Sequence, residues 1–216
     1  MRDDAPPVTP ELLLHAYRMG VFPMSEGRND PELFWVDPQM RGIIPLNAFH
    51  ISRTLAKSLK REDFQATADT AFKQVLEGCA ARDETWINDK IFQLYMDLHE
   101  GGHAHSVEVW QDGALAGGVY GVAIGGAFFG ESMFSNRTNG SKAALAFLVD
   151  RLKTQGFTLF DTQFITEHLR SMGAVEIPRT AYHARLATAV LHDVQFGQSG
   201  PMATGQDVLQ RRAQTS

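Results

Sequence analysis

Residues 106–135 read SVEVWQDGALAGGVYGVAIGGAFFGESMFS, and whether this run is one membrane helix or several strands decides the fold. From Gly113 to Gly130 it carries eighteen uncharged residues, long enough to span a bilayer as a helix. Seven of the eighteen are glycine, which weakens a helix, and the alternating Ser-Val-Glu-Val-Trp-Gln ahead of it ends at Asp112-Gly113, a hairpin-turn pair. The run is therefore predicted to be a meander of about three antiparallel strands. Its glycines mark bulges or let another group approach the backbone closely. A single carboxylate, Glu131, closes the apolar stretch. An unpartnered core carboxylate costs several kcal/mol, so its presence there is a question about function.

On the N-terminal side, TPELLLHAYRMG reads as a short helix with Thr9 as cap, Pro10 at the first helical position and Gly20 as stop. Pro23, Pro31, Pro38 and Pro45 then predict a looped, aromatic-bearing segment able to line a cleft. In HISRTLAKSLKRED, Ile51, Leu55 and Leu59 form a narrow apolar stripe, while Arg53, Lys57, Lys60 and Arg61 share the other face. That basic face is either an ordinary solvated surface or a phosphate-binding one. Helices are predicted over residues 70–82 and 86–100. On the C-terminal side, NGSKAALAFLVDRLKTQG predicts a long amphipathic helix, FTLFDTQ a strand, residues 180–191 a last helix, and the final twenty or so residues a loose tail. This order is that of an α+β, or mixed α/β, protein.

Two hundred and sixteen residues, 44% of them hydrophobic, suffice for a sizeable core, and the formal charge of −5 confines any nucleic-acid contact to a local patch. One cysteine, Cys79, excludes an internal disulfide and fits a reducing compartment. MRDDAPPVTP carries no secretory pattern, so the cytoplasm is the expected location. No phosphate loop and no dinucleotide fingerprint is present.

Two strand ends carry candidate chemistry: Glu131, and Asp161 with Gln163, which strand alternation points to one face. If the strands are neighbours, two carboxylates and an amide converge on one spot, suited to positioning and proton transfer. The plainer alternative has Asp161 capping a turn and Glu131 paired with Lys142 or Arg137. His99, His103 and His105 have no fourth ligand at a recognised spacing, and Ser132 and Ser135 lack a nucleophile setting; neither metal nor covalent catalysis is expected.

The strings AYRMGVFPM, HISRTL, AFKQVLEGCA, LHEGGHAHSVEVW, GGVYGVAIGGAFFGESMFS, NGSKAAL, LFDTQ and HLRSMGAVEIPR, in this order from about Leu12 to Leu186, resemble the leucyl/phenylalanyl-tRNA-protein transferase family. The resemblance implies an aminoacyltransferase that moves Leu or Phe, and less well Met, from aminoacyl-tRNA to the α-amine of proteins beginning with Arg or Lys, creating an N-degron. It implies a small N-terminal domain (residues 1–61, with the basic helix), a GNAT-like catalytic domain (62–195) and a flexible tail (196–216). Neither cofactor nor metal is implied, and nothing in the sequence calls for more than a monomer.

Carried residue by residue, the resemblance makes Asp161 and Gln163 the catalytic pair. Gln163 would accept a hydrogen bond from the attacking amine while Asp161 polarises it and draws the proton away. Glu131 would face the acceptor's N-terminal Arg or Lys. Trp86 and Tyr95 would lie near the terminal adenosine and the aminoacyl group, and Val119, Phe128, Leu145, Leu148 and Phe160 would form the side-chain pocket. Arg53, Lys57, Lys60 and Arg61 would contact tRNA phosphates. Met24 stands where many members carry an aromatic, leaving stacking from that side to Phe22, Phe34 or Trp35. A CoA-dependent N-acetyltransferase and a noncatalytic tRNA-end binder are the competing readings.

Overall fold

Helix α1 (Pro10–Arg18) starts where Thr9 accepts a hydrogen bond from the Leu12 N–H at 3.3 Å, with proline at its first position. The computed structural model describes residues 8–28, 30, 32–82 and 85–214; residues 1–7, Pro31 and the last two residues of the expected tail lie outside them. After α1 come the short strands β1 (Phe22–Met24), β2 (Phe34–Val36) and β3 (Met40–Ile43), a 3-10 turn (Leu46–Ala48) and the basic helix α2 (Arg53–Lys60), capped by Ser52. Strand β4 (Gln65–Ala68) and helices α3 (Phe72–Ala80) and α4 (Asp89–Glu100) precede the apolar run. Helix α4 begins three residues later than the apolar spacing predicts, because the Asn88 side chain accepts from the Ile91 N–H and fixes the start.

The apolar run is the expected meander: β5 (Ala104–Gln111), β6 (Ala114–Ile124) and β7 (Ala127–Ser135) pair antiparallel in sequence. Asp112 and Gly113 both have positive φ, 52° and 76°, which the tight turn requires. A bulge interrupts the β6–β7 register between Tyr120 and Gly121, where a side-chain carbon on Gly121 would run into the Phe129 carbonyl oxygen. No helix among the described residues is long and apolar enough to cross a membrane.

Helix α5 (Gly140–Gln155) carries the chain from β7 over the sheet to β8 (Leu159–Gln163), which lies parallel to β7. Helix α6 (Glu167–Arg170), β9 (Val175–Pro178), α7 (Arg179–Ala189), β10 (Gly200–Pro201) and α8 (Gly205–Gln214) complete the chain. The large sheet has the order β10-β4-β5-β6-β7-β8-β3-β9, and β1 pairs with β2 apart from it. Alternate side chains feed two cores. Phe128, Val119, Leu145, Leu148 and Phe160 pack with α2 on one face; Phe129, Tyr120, Tyr95, Tyr17 and Cys79 pack on the other.

Strand β3 lies inside the large sheet between β8 and β9, and Leu55 and Leu59 of α2 are buried in its core. The expected tail is built in over its described residues: Phe196 and Val208 are buried, β10 pairs with β4, and Arg211 grips Asp150 at 2.8 and 2.6 Å. Its sparse apolar residues are the ones the core takes up, which is why its polar composition misleads.

Candidate active site

The pairing of β7 with β8 ends at Phe129–Asp161, and past that point the strands line a cavity of about 280 Å³. Gly130 to Met133 of β7 form one wall; Thr162, Gln163 and Phe164 form the other. Ligands in sheets with parallel strands settle where neighbouring strands part, because backbone and side chains there are held by the sheet yet open to solvent. Phe22, Met24, Trp86, Val119, Leu145 and Phe160 make the rest of the lining largely apolar, and Glu131 is its one acidic residue among the described residues.

Asp161 lies beneath this cavity, fully buried and not part of its lining. Its Oδ1 accepts from Arg41 Nε at 2.9 Å and from the Gln163 backbone N–H at 2.8 Å; its Oδ2 accepts from Arg41 Nη2 at 2.6 Å and from the Tyr182 hydroxyl at 2.7 Å. Four donors fill the roughly four lone-pair sites of a carboxylate. Arg41 is equally buried: Nη1 donates to the Gly20 carbonyl at 2.9 Å, and its guanidinium lies between the Phe22 and Tyr182 rings at 4.5 and 4.4 Å. Burial pulls the Arg41 pKa down, but the hydrogen bond and charge of Asp161 outweigh it and leave it raised. Burial, reinforced by the Asp161 charge, pushes the Tyr182 phenol far up.

Glu131 accepts from the Tyr17 hydroxyl at 2.7 Å, the Tyr95 hydroxyl at 2.7 Å and Gln163 Nε2 at 3.3 Å. The two hydroxyls are also 2.7 Å apart. Burial pushes the Glu131 carboxyl up to about 7, although the tyrosine hydrogen bonds pull the other way; the Asp161 charge raises it and Arg41 lowers it. Burial likewise raises Tyr17 and Tyr95, which stay protonated. Gln163 adopts a left-handed φ of 56° as β8 ends, and its side-chain amide N–H is the group that meets Glu131. Neither Lys142 nor Arg137 is the partner of Glu131, contrary to the plainer expectation.

The structure sorts the candidates. Glu131, Gln163, Trp86, Val119, Leu145 and Phe160 line the cavity. Tyr95 stands behind Glu131, and Phe128 and Leu148 are buried one layer deeper, where Phe128 packs edge-on against Phe160 at 5.6 Å. Asp161 meets Gln163 through the backbone, accepting from its N–H at 2.8 Å, while the Gln163 side chain turns to Glu131. Arg53, Lys57 and Lys60 of α2 and its cap residue Arg61 are exposed, away from the lining, with Arg61 paired to Asp63 at 2.6 Å. His99 bonds the Ala104 carbonyl and His105 bonds Asp69; no group of three metal-binding side chains occurs among the described residues.

Arg41, Tyr17, Tyr182 and Thr162 belong to the site and do not stand out in the sequence. Thr162 lines the cavity with a buried hydroxyl that has no hydrogen-bond partner. The signal for Arg41 is a single arginine in an apolar string, QMRGIIP.

The sequence model described as leucyl/phenylalanyl-tRNA protein transferase matches residues 43–187, and that of its N-terminal domain matches 7–39. A leucyl/phenylalanyl-tRNA–protein transferase of Cereibacter sphaeroides is 56% identical over 98% of this chain and 99% of its own. One of Ruegeria pomeroyi is 58% identical over 96% of this chain and 98% of its own. Among solved structures, FemX is similar at a TM-score of 0.49 and 10% identity, covering 93% of this chain and 70% of that one. The chain belongs to the leucyl/phenylalanyl-tRNA protein transferase family, aminoacyltransferases that carry an amino acid from aminoacyl-tRNA to a protein.

Proposed function

We propose that the chain transfers leucine or phenylalanine, and methionine less well, from aminoacyl-tRNA to the α-amine of proteins that begin with Arg or Lys, making them substrates for degradation. One observation carries this reading: an apolar cavity at the parting of two strands has, among the described residues, a single acidic one, Glu131, in its lining. The apolar wall of Val119, Leu145 and Phe160 suits an aliphatic or aromatic side chain that is not branched at Cβ, and Glu131 suits a cationic N-terminal residue.

The aminoacyl ester is already activated, so no covalent enzyme intermediate is needed and positioning supplies much of the acceleration. With its N–H given to Glu131, Gln163 keeps its carbonyl oxygen to receive an N–H of the attacking amine. Trp86, beside Tyr95 in an edge-on contact at 6.3 Å, offers a face for the terminal adenosine. The exposed cations of α2 suit the acceptor-stem phosphates. The catalytic part is GNAT-like in this reading, and the protein acts as a cytoplasmic monomer without cofactor.

The test is transfer of labelled leucine from Leu-tRNA to a peptide beginning with Arg beside one beginning with Ala. Product on the Arg peptide alone supports the assignment. Absence of product with Leu-, Phe- and Met-tRNA, or equal labelling of both peptides, rejects it.

A further inference from the structure

We infer that Arg82 binds the last phosphodiester of the aminoacyl-tRNA, the one that joins the terminal adenosine to the nucleotide before it. The inference rests on the transferase reading above and adds to it a charged contact at the cavity itself, separate from the cations of α2.

Arg82 follows the C-terminal end of α3 and lines the cavity together with Trp86, which lies on the same connection to α4. Arg82 is exposed, yet its guanidinium is anchored: Nη2 donates to the Ser132 hydroxyl at 2.6 Å and Nε to the Cys79 carbonyl at 3.3 Å. From the other side Arg28 Nη2 donates to the Arg82 carbonyl at 3.0 Å and so holds the backbone. A guanidinium carries five N–H groups, so three remain for a ligand. An arginine already fixed in this way loses less freedom on binding than one that sweeps through solvent. Among the described residues Arg82 forms no ion pair, and it is the one cation in the cavity lining.

Charge decides which substrate it meets. The acceptor brings cations, its α-ammonium and its Arg or Lys side chain, and their counterpart is Glu131, next to Ser132 on β7. Arg82 offers those cations only repulsion. The ester and the leucine or phenylalanine side chain carry no charge. The donor's phosphates are the anions that every round of transfer brings. With the adenine against half-buried Trp86, the phosphate on the adenosine 5′ oxygen is the first one outside the pocket. Trp86 and Arg82 line one cavity of about 280 Å³, so a nucleotide stacked on the first is within reach of the second.

A guanidinium fork matches a phosphodiester with two parallel, charge-assisted hydrogen bonds. Such a contact reads no base. It fixes the register of the terminal nucleotide, so that the ester arrives beside Gln163 rather than one nucleotide short of it or beyond it.

The test compares two short donors with the full chain: the leucyl ester of cytidylyl-adenosine with its natural phosphodiester, and the same dinucleotide with an uncharged methylphosphonate link. We expect kcat/KM for the phosphodiester to be higher by about 10-fold, with the difference in KM. In Arg82→Gln, checked for folding by its melting temperature, the two donors should be used equally. Arg82→Lys, a point charge without the fork, should keep part of the preference. A wild type that uses both donors equally, which no folding defect can explain, overturns the inference while labelling of an Arg-initiated peptide from Leu-tRNA keeps the transferase reading intact. Full preference retained in Arg82→Gln overturns it too. A wild type that labels no peptide from any of the three charged tRNAs overturns the reading and the inference with it.

Discussion

Arg41 holds Asp161 by both carboxylate oxygens, at 2.9 and 2.6 Å, across 120 residues of chain and with neither side chain exposed. The pair ties β3 to β8 directly below the cavity and fixes the backbone of Gln163, the residue that the proposed chemistry needs. Removing one partner leaves a buried charge without its counterion.

Arg41→Met is therefore expected to destabilise the fold by about 3–5 kcal/mol, read from the midpoint and slope of urea unfolding. The double variant Arg41→Met with Asp161→Leu should recover much of that loss yet not regain transfer. Recovery of activity in the double variant would show that the pair does not position Gln163.

Val119 lines the same cavity as Gln163. Val119→Phe narrows the pocket and is expected to lower transfer of Phe relative to Leu by about 10-fold, measured as a ratio of kcat/KM values. An unchanged ratio would place the amino acid's side chain elsewhere.

Replacing Lys57 and Lys60 by Glu reverses charge on an exposed helix face whose buried stripe, Leu55 and Leu59, is untouched. The expected result is a raised KM for aminoacyl-tRNA and a salt dependence shallower by about one unit of slope for each phosphate no longer neutralised. Transfer from a short aminoacyl-adenosine donor should be unaffected. Equal loss with both donors would remove α2 from the tRNA interface.

Glu131 has a folded pKa of about 7, above the ordinary carboxylate value, so the folded chain binds its proton more tightly than the unfolded one does. Its contribution to stability is full below about pH 4 and is lost as the pH rises through 7. Relative to wild type, Glu131→Gln should gain stability between pH 5 and pH 8, by on the order of 1–3 kcal/mol. Parallel pH curves for the two proteins would contradict the raised value.

Helix α8 covers the core through Val208 and binds Glu62 through the Gly205 and Gln206 N–H groups, both at 3.0 Å. A chain ending at residue 204 should melt several degrees lower, because burying one such side chain contributes about 1.5–3 kcal/mol. An unchanged melting temperature would restore the segment to the status of a loose tail.

The meander was legible because strand alternation, Asp112-Gly113 and the glycine count all agree locally. Helix caps at Thr9 and Ser52 were legible for the same reason, since each depends on residues a few positions away. Glu131 and Asp161 stood out as acids in apolar strings, but their partners did not. Tyr17 and Tyr95 reach Glu131 from 114 and 36 positions away, and nothing in their own neighbourhoods marks them. The place of Arg41 was hidden because the prolines around it read as loop, whereas β3 finds both of its partners, β8 and β9, far along the chain. The sequence does not mark the C-terminal helix, because its apolar contact is confined to Val208 and Leu209 and its polar anchors, Glu62 and Asp150, lie far along the chain.

The Tyr182 hydroxyl, 2.7 Å from Asp161, comes from nearly the last sheet-covering helix, while Tyr17 comes from the first. A ribosome therefore synthesises most of the chain before any of this chemistry can exist. Closing contacts across such separations costs loop entropy, so the site depends on the whole chain having come together.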